Sequence, residues 1–379
     1  MTNSVQITNV GGQPLPVIQG ILEFPCSKHI LLHSSESQET ANKIATLMQC
    51  NCQLQPIKDP NNFQELLSLI GTLVDKNEQV SLFVNVTGGT KIMTLALYTF
   101  FANSNLIATV FHIDQNGMIH YLAEMKSESI KTTLPIDRFI AFSGQKIKSK
   151  TCDEAIPAEY FEVKDQIKKI YREHFNEFRT LLNRYRELDR KEDNLNDFEI
   201  VNRKTYSQLK WDQEENELSI SLYRHNYRGY LQFSFTGSEY LGIVLETKWF
   251  ELELVEIFRN WNNTRELAWG VIVPYIEGSD KNEIDIILNV GSKLLFVECK
   301  TQVSDIKDID KLRNAAKAYG GLGSKAILIT LFEANKRTIE KCNDNNILLF
   351  SFTNPDKSKN NQNDLYKLLD KEIIKSNTF

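Results

Sequence analysis

The chain has 379 residues, of which 41% are hydrophobic and 25% charged, with a net charge of −5 and a pI of about 5.8. At ~100–200 residues per domain, that length indicates two or three soluble domains with real cores. The acidic balance argues against a broad basic surface gripping nucleic acid, but not against local, metal-assisted contacts.

Strands are expected at SVQITNV (4–10), HILLHSS (29–35), QLQPIK (53–58), VSLFVNV (80–86) and LIATVFHI (106–113). Between them, Glu36–Met48, Phe63–Val74 and Lys91–Phe101 carry helical spacing. Strand–helix alternation of this kind predicts a parallel sheet with helices on both faces, a Rossmann-like α/β domain. From Glu159 to about Phe198 the chain is dense in charge, with Phe161, Ile167, Ile170, Tyr171, Phe175, Phe178, Leu181 and Leu182 mostly three or four apart. This reads as an amphipathic helix or helical pair connecting two domains. Its basic cluster Lys164, Lys168 and Lys169 is interleaved with acids and is expected to be a solvated face.

Strands return at ELSISLYR and YLQFSF, followed by the helical SEYLGIVLETKWFELELVEIFRNW. Then come AWGVIVPYI, EIDIILNV, LLFVEC, a helix near Ile306–Tyr319, KAILIT, a further helix and ILLFSF. That order predicts a second, mixed α/β domain. A polar tail, NPDKSKNNQND, lies near the end.

No run approaches the ~18 apolar residues of a membrane span, and MTNSVQITNVGG lacks a signal-peptide pattern. The six cysteines contain no CxxC pair, so neither a zinc site nor a disulfide framework is indicated, and the compartment reads as cytosolic (cytoplasmic). The six histidines show no ligand spacing; His33 ends the second strand and reads as an ordinary strand residue.

Two places carry chemistry. In LLFVECKT, a core-quality run delivers Glu298 and Lys300 to one strand face, because strand side chains alternate. Asp285 lies on the preceding apolar strand, and NVGSK (289–293) supplies the glycine for a tight hairpin. Paired so, Asp285 and Glu298 converge, with Lys300 one step along. Two buried acids are costly unless neutralised, and a hard divalent cation with oxygen ligands does that. Such a cation activates water at a phosphodiester, while a lysine offsets developing charge. A third carboxylate is expected from TKWFELELVEIF, which offers Glu251, Glu253 and Glu256; Glu251 shares an apolar stripe with Val255 and Phe258.

The second place is glycine-rich. VSLFVNVTGGTKIM breaks from a strand into Thr87-Gly88-Gly89-Thr90-Lys91 and then a helix, a form suited to binding an anion on free N–H groups. It is no Walker A motif. NVGGQPLP (9–16) breaks in the same way after the first strand, and in a parallel sheet both loops lie at the carboxyl edge. Together they favour a nucleotide or phosphate site.

The Asp285…Glu298-Cys299-Lys300 pattern resembles the PD-(D/E)xK nuclease superfamily, with Ile284 in the place of the proline. With NVGGQP and VNVTGGTKIM, the tandem resembles CRISPR ancillary nucleases in which a Rossmann-like CARF sensor domain precedes a PD-(D/E)xK domain. KWFELEL, NEIDIIL, LLFVECKT and YGGLGSKAILIT carry the resemblance in the second half. It implies a CARF domain over 1–150, a helical connector over 151–215 and a restriction-endonuclease-like domain over 216–379. It also implies a type III CRISPR antiviral effector that cleaves DNA, RNA or both, activated by cyclic oligoadenylate, the tetramer above all. The implied catalytic residues are Glu251, Asp285, Glu298 and Lys300. The implied ligands of Mn2+ or Mg2+ are Glu251, Asp285, Glu298 and the Cys299 backbone carbonyl. The implied messenger pocket is Gly11, Gly12, Gln13, Ser34, Thr87, Gly88, Gly89, Thr90 and Lys91. Thr247-Lys248 departs from the glycine common before this tryptophan. A two-fold symmetric messenger and one sensor domain per chain predict a C2 homodimer. Two rivals stand beside this reading: a non-catalytic cyclic-nucleotide sensor that binds nucleic acid, and an unregulated nuclease whose Rossmann half only dimerises.

Overall fold

The computed structural model describes residues 3–74, 80–189, 197–224, 229–274, 281–303, 305–320, 323–352 and 358–374. The N-terminal half runs β1 (Ser4–Asn9), α1 (Leu15–Glu23), β2 (Lys28–His33), α2 (Gln38–Met48), β3 (Cys52–Pro56), α3 (Phe63–Leu73), β4 (Ser81–Asn85), α4 (Lys91–Ala102) and β5 (Ala108–Ile113). A hairpin, β6 (Met118–Tyr121) and β7 (Lys126–Ser129), completes a seven-stranded sheet of order β3-β2-β1-β4-β5-β6-β7. Strands β1 to β5 are parallel, whereas β6 and β7 add antiparallel. Helices α1 and α2 pack on one face with Val17, Ile18, Ile21, Ala41 and Ile44, and α3 and α4 cover the other. The chain therefore reverses direction across the sheet between β1 and β4, which is where such sheets open a crevice.

After α5 (Ile136–Phe142) comes β8 (Ser149–Cys152), which pairs antiparallel with a strand of the second domain. The domain limit expected at residue 150 thus falls inside a strand of the other sheet. Two helices follow, α6 (Ala158–Glu173) and α7 (Phe175–Asp189). The helical connector expected over 151–215 is shorter than that. Residues 198–201 and 208–212 form β9 (Phe198–Val201) and β10 (Gln208–Asp212), which join β11 (Glu217–Arg224) and β12 (Gly229–Thr236) in a four-stranded antiparallel sheet. Alternation Phe198/Ile200 and Leu209/Trp211 buries one face of this sheet, a period-two signal hidden beside the charged helices.

Then come α8 (Glu239–Leu245), α9 (Lys248–Arg259), β13 (Glu266–Pro274), β14 (Lys281–Asn289), β15 (Leu294–Lys300), α10 (Lys307–Tyr319), β16 (Lys325–Thr330), α11 (Lys336–Asp344), β17 (Leu348–Ser351) and α12 (Ser358–Leu369). The resulting six-stranded sheet has the order β17-β16-β15-β14-β13-β8. Strand β15 lies inside it, and Leu294, Leu295, Phe296 and Val297 are all 0% exposed, so a continuous apolar run is what both covered faces require.

The two halves share a core. Val17, Ile18 and Ala41 of the first sheet's helices belong to the same apolar cluster as Phe139, Ile287, Phe296, Leu312 and Tyr319. Polar ties cross the same junction: Asn289 Nδ2 donates to the Leu134 carbonyl (2.7 Å), and the Ile136 N–H donates to Glu266 (2.8 Å). Among the described residues no helix is long and apolar enough to cross a membrane. His225 and residues 354–357 of the polar tail lie outside the described residues, as do Gly321 and Leu322 of YGGLGSK.

Candidate functional site

Hairpin register brings the second domain's charges together. Strand β14 pairs with β15 through Ile286↔Val297 to Asn289↔Leu294. One step beyond Ile286↔Val297, at the end away from the turn, Asp285 stands across from Glu298. Asp285 Oδ2 accepts the Cys299 N–H at 2.7 Å, and Lys300 Nζ lies 2.6 Å from Glu298 and 3.9 Å from Asp285. The ladder pairing of the two strands stops before this step, and the Cys299 N–H bonds a side chain instead.

Helix α9 supplies the third acid, and its neighbours decide which one. Lys168 Nζ reaches Glu253 at 2.5 Å, and Lys164 Nζ donates to Glu256. Glu251 turns instead to the sheet, where Trp269 Nε1 donates to its Oε2 at 2.7 Å. Lys164 is only 1% exposed, so this part of the basic cluster is a buried ion-pair network tying α6 to α9, not the solvated face expected from sequence.

Burial followed by the charge of Asp285 pushes Glu251 up to about 8 and Glu298 up to about 7. Burial also raises Asp285, against the opposing pull of Lys300 and the Cys299 N–H. For Lys300, burial pulls the ammonium down, but Asp285 and Glu298 outweigh it and the net shift is upward. One lysine thus neutralises only part of a three-carboxylate cluster, which keeps protons into a pH range where ordinary carboxylates have lost them. Among the described residues, no three His, Cys, Asp or Glu side chains are already gathered closely enough to hold a metal ion. The donor chemistry nevertheless fits a hard cation: buried carboxylates whose protons are held above their usual range are those a divalent ion relieves.

Thr247 lies at the N-cap of α9 with φ of 71°, in the left-handed region. A β-branched residue is uncommon there and glycine is the comfortable choice, which accounts physically for the glycine that Thr247 replaces. The helix still starts at Lys248.

At the first domain's carboxyl edge, the two glycine loops touch backbone to backbone. A Cβ on Gly88 would lie 2.2 Å from the Asn9 carbonyl oxygen, and one on Gly11 would lie 2.8 Å from the Gly89 nitrogen. Gly89 has φ of +77°. Gly12 has open space around it, and both Gly12 and Gln13 are exposed. Thr87 and Thr90 are occupied within the fold. Thr87 Oγ1 donates to Asn85 (2.6 Å) and accepts the Ile113 N–H (2.8 Å). Thr90 caps α4 by accepting the Met93 N–H (3.2 Å), and donates to the Pro60 carbonyl (3.0 Å). Lys91, first residue of α4, is exposed and has no ion pair among the described residues. Ser34 follows β2 on the same edge, its N–H donating to Ser37 Oγ (3.0 Å). Beneath the loops sits a residue that pattern reading passes over. Asn9 is 0% exposed, and neither polar atom of its amide has a partner among the described residues. Its only sequence signal is that it opens NVGGQPLP, the first glycine loop.

Gly12 and Gln13 also border a cleft of about 320 Å3 shared with Lys317 and Tyr319 at the end of α10. The other end of α10 carries Asp308, whose charge adds to the upward shift of Asp285 and Glu298.

Residues 5–137 match the family model described as the Card1 CARF domain, so the Rossmann-like sheet at the N-terminus is of the CARF type. The whole chain is similar in fold to Can2 from Sulfobacillus thermosulfidooxidans, solved in complex with cyclic tetra-adenylate: TM-score 0.68, 17% identity, with 98% of this chain and 99% of that chain covered. It is also similar to protein VC1899 from Vibrio cholerae, with TM-score 0.71, 16% identity and 96% and 97% of the two chains covered. No protein of curated function matches it in sequence.

Proposed function

We propose that this protein is a type III CRISPR antiviral effector, a metal-dependent endonuclease cleaving DNA, RNA or both and activated by cyclic tetra-adenylate. The observation that carries the reading is the buried cluster of Glu251, Asp285, Glu298 and Lys300, sited on a chain whose other domain is of the CARF type. The whole-chain fold likeness to a protein solved with cyclic tetra-adenylate supports the choice of messenger.

Glu251, Asp285, Glu298 and the Cys299 carbonyl hold Mn2+ or Mg2+ in this reading; the cation supplies charge neutralisation and an activated water. Lys300, which stands 2.6 Å from Glu298, would offset the negative charge that develops on the phosphodiester. Trp269 fixes Glu251 in the orientation facing Asp285. In the sensor, Gly11, Gly12, Gln13, Gly88, Gly89 and Lys91 form the messenger pocket with Ser34 at its side, and Thr87 and Thr90 shape its loops. The orphaned Asn9 amide gives the pocket a buried polar group in need of a partner. A homodimer presents these loops twice to a two-fold ligand. Helix α10 links the messenger cleft to Asp308 beside the acids, so loop movement has a rigid element through which to act.

Incubation with plasmid, single-stranded DNA or RNA, with and without cyclic tetra-adenylate and Mn2+ or Mg2+, tests the reading. Cleavage requiring both is the expected result. Absence of cleavage under every condition would leave a sensor without catalysis, and messenger-independent cleavage would leave an unregulated nuclease.

A further inference from the structure

Helix α7 turns a stripe of exposed side chains toward Lys300. Arg179, Asn183 and Arg186 lie one and two turns apart on it, and with Phe175, Phe332 and Lys300 they border a cleft of about 490 Å3. The Phe175 and Phe332 rings stand 5.1 Å apart on its wall, both half-buried, and the Arg179 guanidinium lies 5.6 Å from the Phe175 ring centre. Arg179 and Arg186 are exposed and form no ion pair with an acid among the described residues. In a chain of net charge −5, two unneutralised arginines facing a cleft that ends at a carboxylate–lysine cluster are not explained by packing.

We propose that this cleft binds a single nucleic-acid strand and leads it to Lys300, a reading that rests on the nuclease function proposed above. The seven helical steps from Arg179 to Arg186 span roughly 10.5 Å, enough separation for two distinct phosphates. Guanidinium forks match phosphate oxygens in a way a lysine does not. The Phe175–Phe332 pair offers an apolar surface to a base, and Asn183 lies between the arginines with both a donor and an acceptor for a base edge. A base within a duplex is stacked on both faces and cannot use such a surface, so the site selects an unpaired strand. Phe175, Arg179, Asn183 and Arg186 belong to the connector and Phe332 follows β16 of the second domain, and no motif of the sequence announces them as a group.

The test uses the full chain carrying Glu298→Gln, so that no strand is cut, with cyclic tetra-adenylate and Mn2+ present. Binding of fluorescein-labelled oligo(dT), and of a duplex of equal length, is followed by anisotropy across a salt series. Arg179→Ala and Arg186→Ala should each raise the Kd for oligo(dT) about tenfold and flatten the log Kd against log salt slope by about one. Arg186→Lys should restore the slope but only part of the affinity. Phe332→Leu, which keeps apolar packing, should weaken binding roughly fivefold without changing the slope. In the cleavage-competent chain the arginine variants should raise KM and leave kcat within about twofold. Unchanged Kd and slope in both arginine variants, or a duplex bound as tightly as the strand, would overturn the proposal. Arginine-dependent strand binding by a wild-type protein that never cuts would sink the nuclease reading and leave this site standing. Cleavage with an arginine-independent KM would do the reverse.

Discussion

Lys300 Nζ stands 2.6 Å from Glu298 Oε1, on the same strand face and two residues away. The lysine is the one cation in direct ion-pair contact with Glu298 and Asp285 among the described residues. Under the function proposed above, Glu298→Gln removes a carboxylate charge of the metal site in one domain only, so cleavage should be lost while cyclic tetra-adenylate binding, measured by calorimetry, stays at the wild-type Kd. Lys300→Ala should cut turnover by about a hundredfold or more. It also removes what holds Glu298 down, so the residual activity should move to more alkaline pH. Wild-type turnover in Lys300→Ala would make the lysine a structural partner only.

The raised acids make stability depend on pH and on metal. Glu251 sits at about 8 and Glu298 at about 7 in the fold, against an ordinary 4.5 for both. Groups raised on folding favour the folded state below their unfolded value, and that advantage is lost as pH climbs through the folded values. The metal-free protein should therefore lose Tm between about pH 4.5 and pH 8. Mn2+ should raise Tm more at pH 8 than at pH 6, because at the lower pH it must displace protons. Glu251→Gln should flatten the metal-free curve. An equal Mn2+ effect at both pH values would argue that the ion does not meet these carboxylates.

Lys91→Ala addresses the switch. The exposed ammonium stands at the first turn of α4, close after Gly88 and Gly89, and under the function proposed above it meets a messenger phosphate. Losing a charge-assisted contact costs on the order of 1.5–3 kcal/mol, and the proposed C2 dimer would lose it twice. Half-maximal activation should move to at least about tenfold higher cyclic tetra-adenylate, with maximal cleavage nearly unchanged. An activation midpoint that does not move would make Lys91 an ordinary helix lysine.

Thr247→Gly tests backbone strain. With φ of 71°, Thr247 holds a left-handed conformation that costs a residue with a Cβ roughly 1–2 kcal/mol. Glycine relieves that and adds unfolded-state entropy, so a net gain of about 1 kcal/mol in urea unfolding is expected. A loss of stability would mean that Thr247 side-chain contacts outweigh the strain.

Local periodicity determined much of this molecule before any tertiary contact was known. Alternation alone puts Glu298 and Lys300 on one face, and the short NVGSK turn sets the hairpin that brings Asp285 opposite, because a two-strand register depends only on neighbouring residues. The parallel sheet and the two glycine breaks were legible for the same reason. Which acid of α9 faces the sheet was not, since the helix spacing leaves Glu251, Glu253 and Glu256 open. Lys168 and Lys164, some 85 and 92 residues away, settle it by pairing with Glu253 and Glu256. Likewise, β8 enters a sheet whose partner strand lies more than a hundred residues on, and the apolar faces of α1 and α10 carry no sign that they share one core. Pattern specifies which face of an element is apolar; only the assembled chain decides what that face meets.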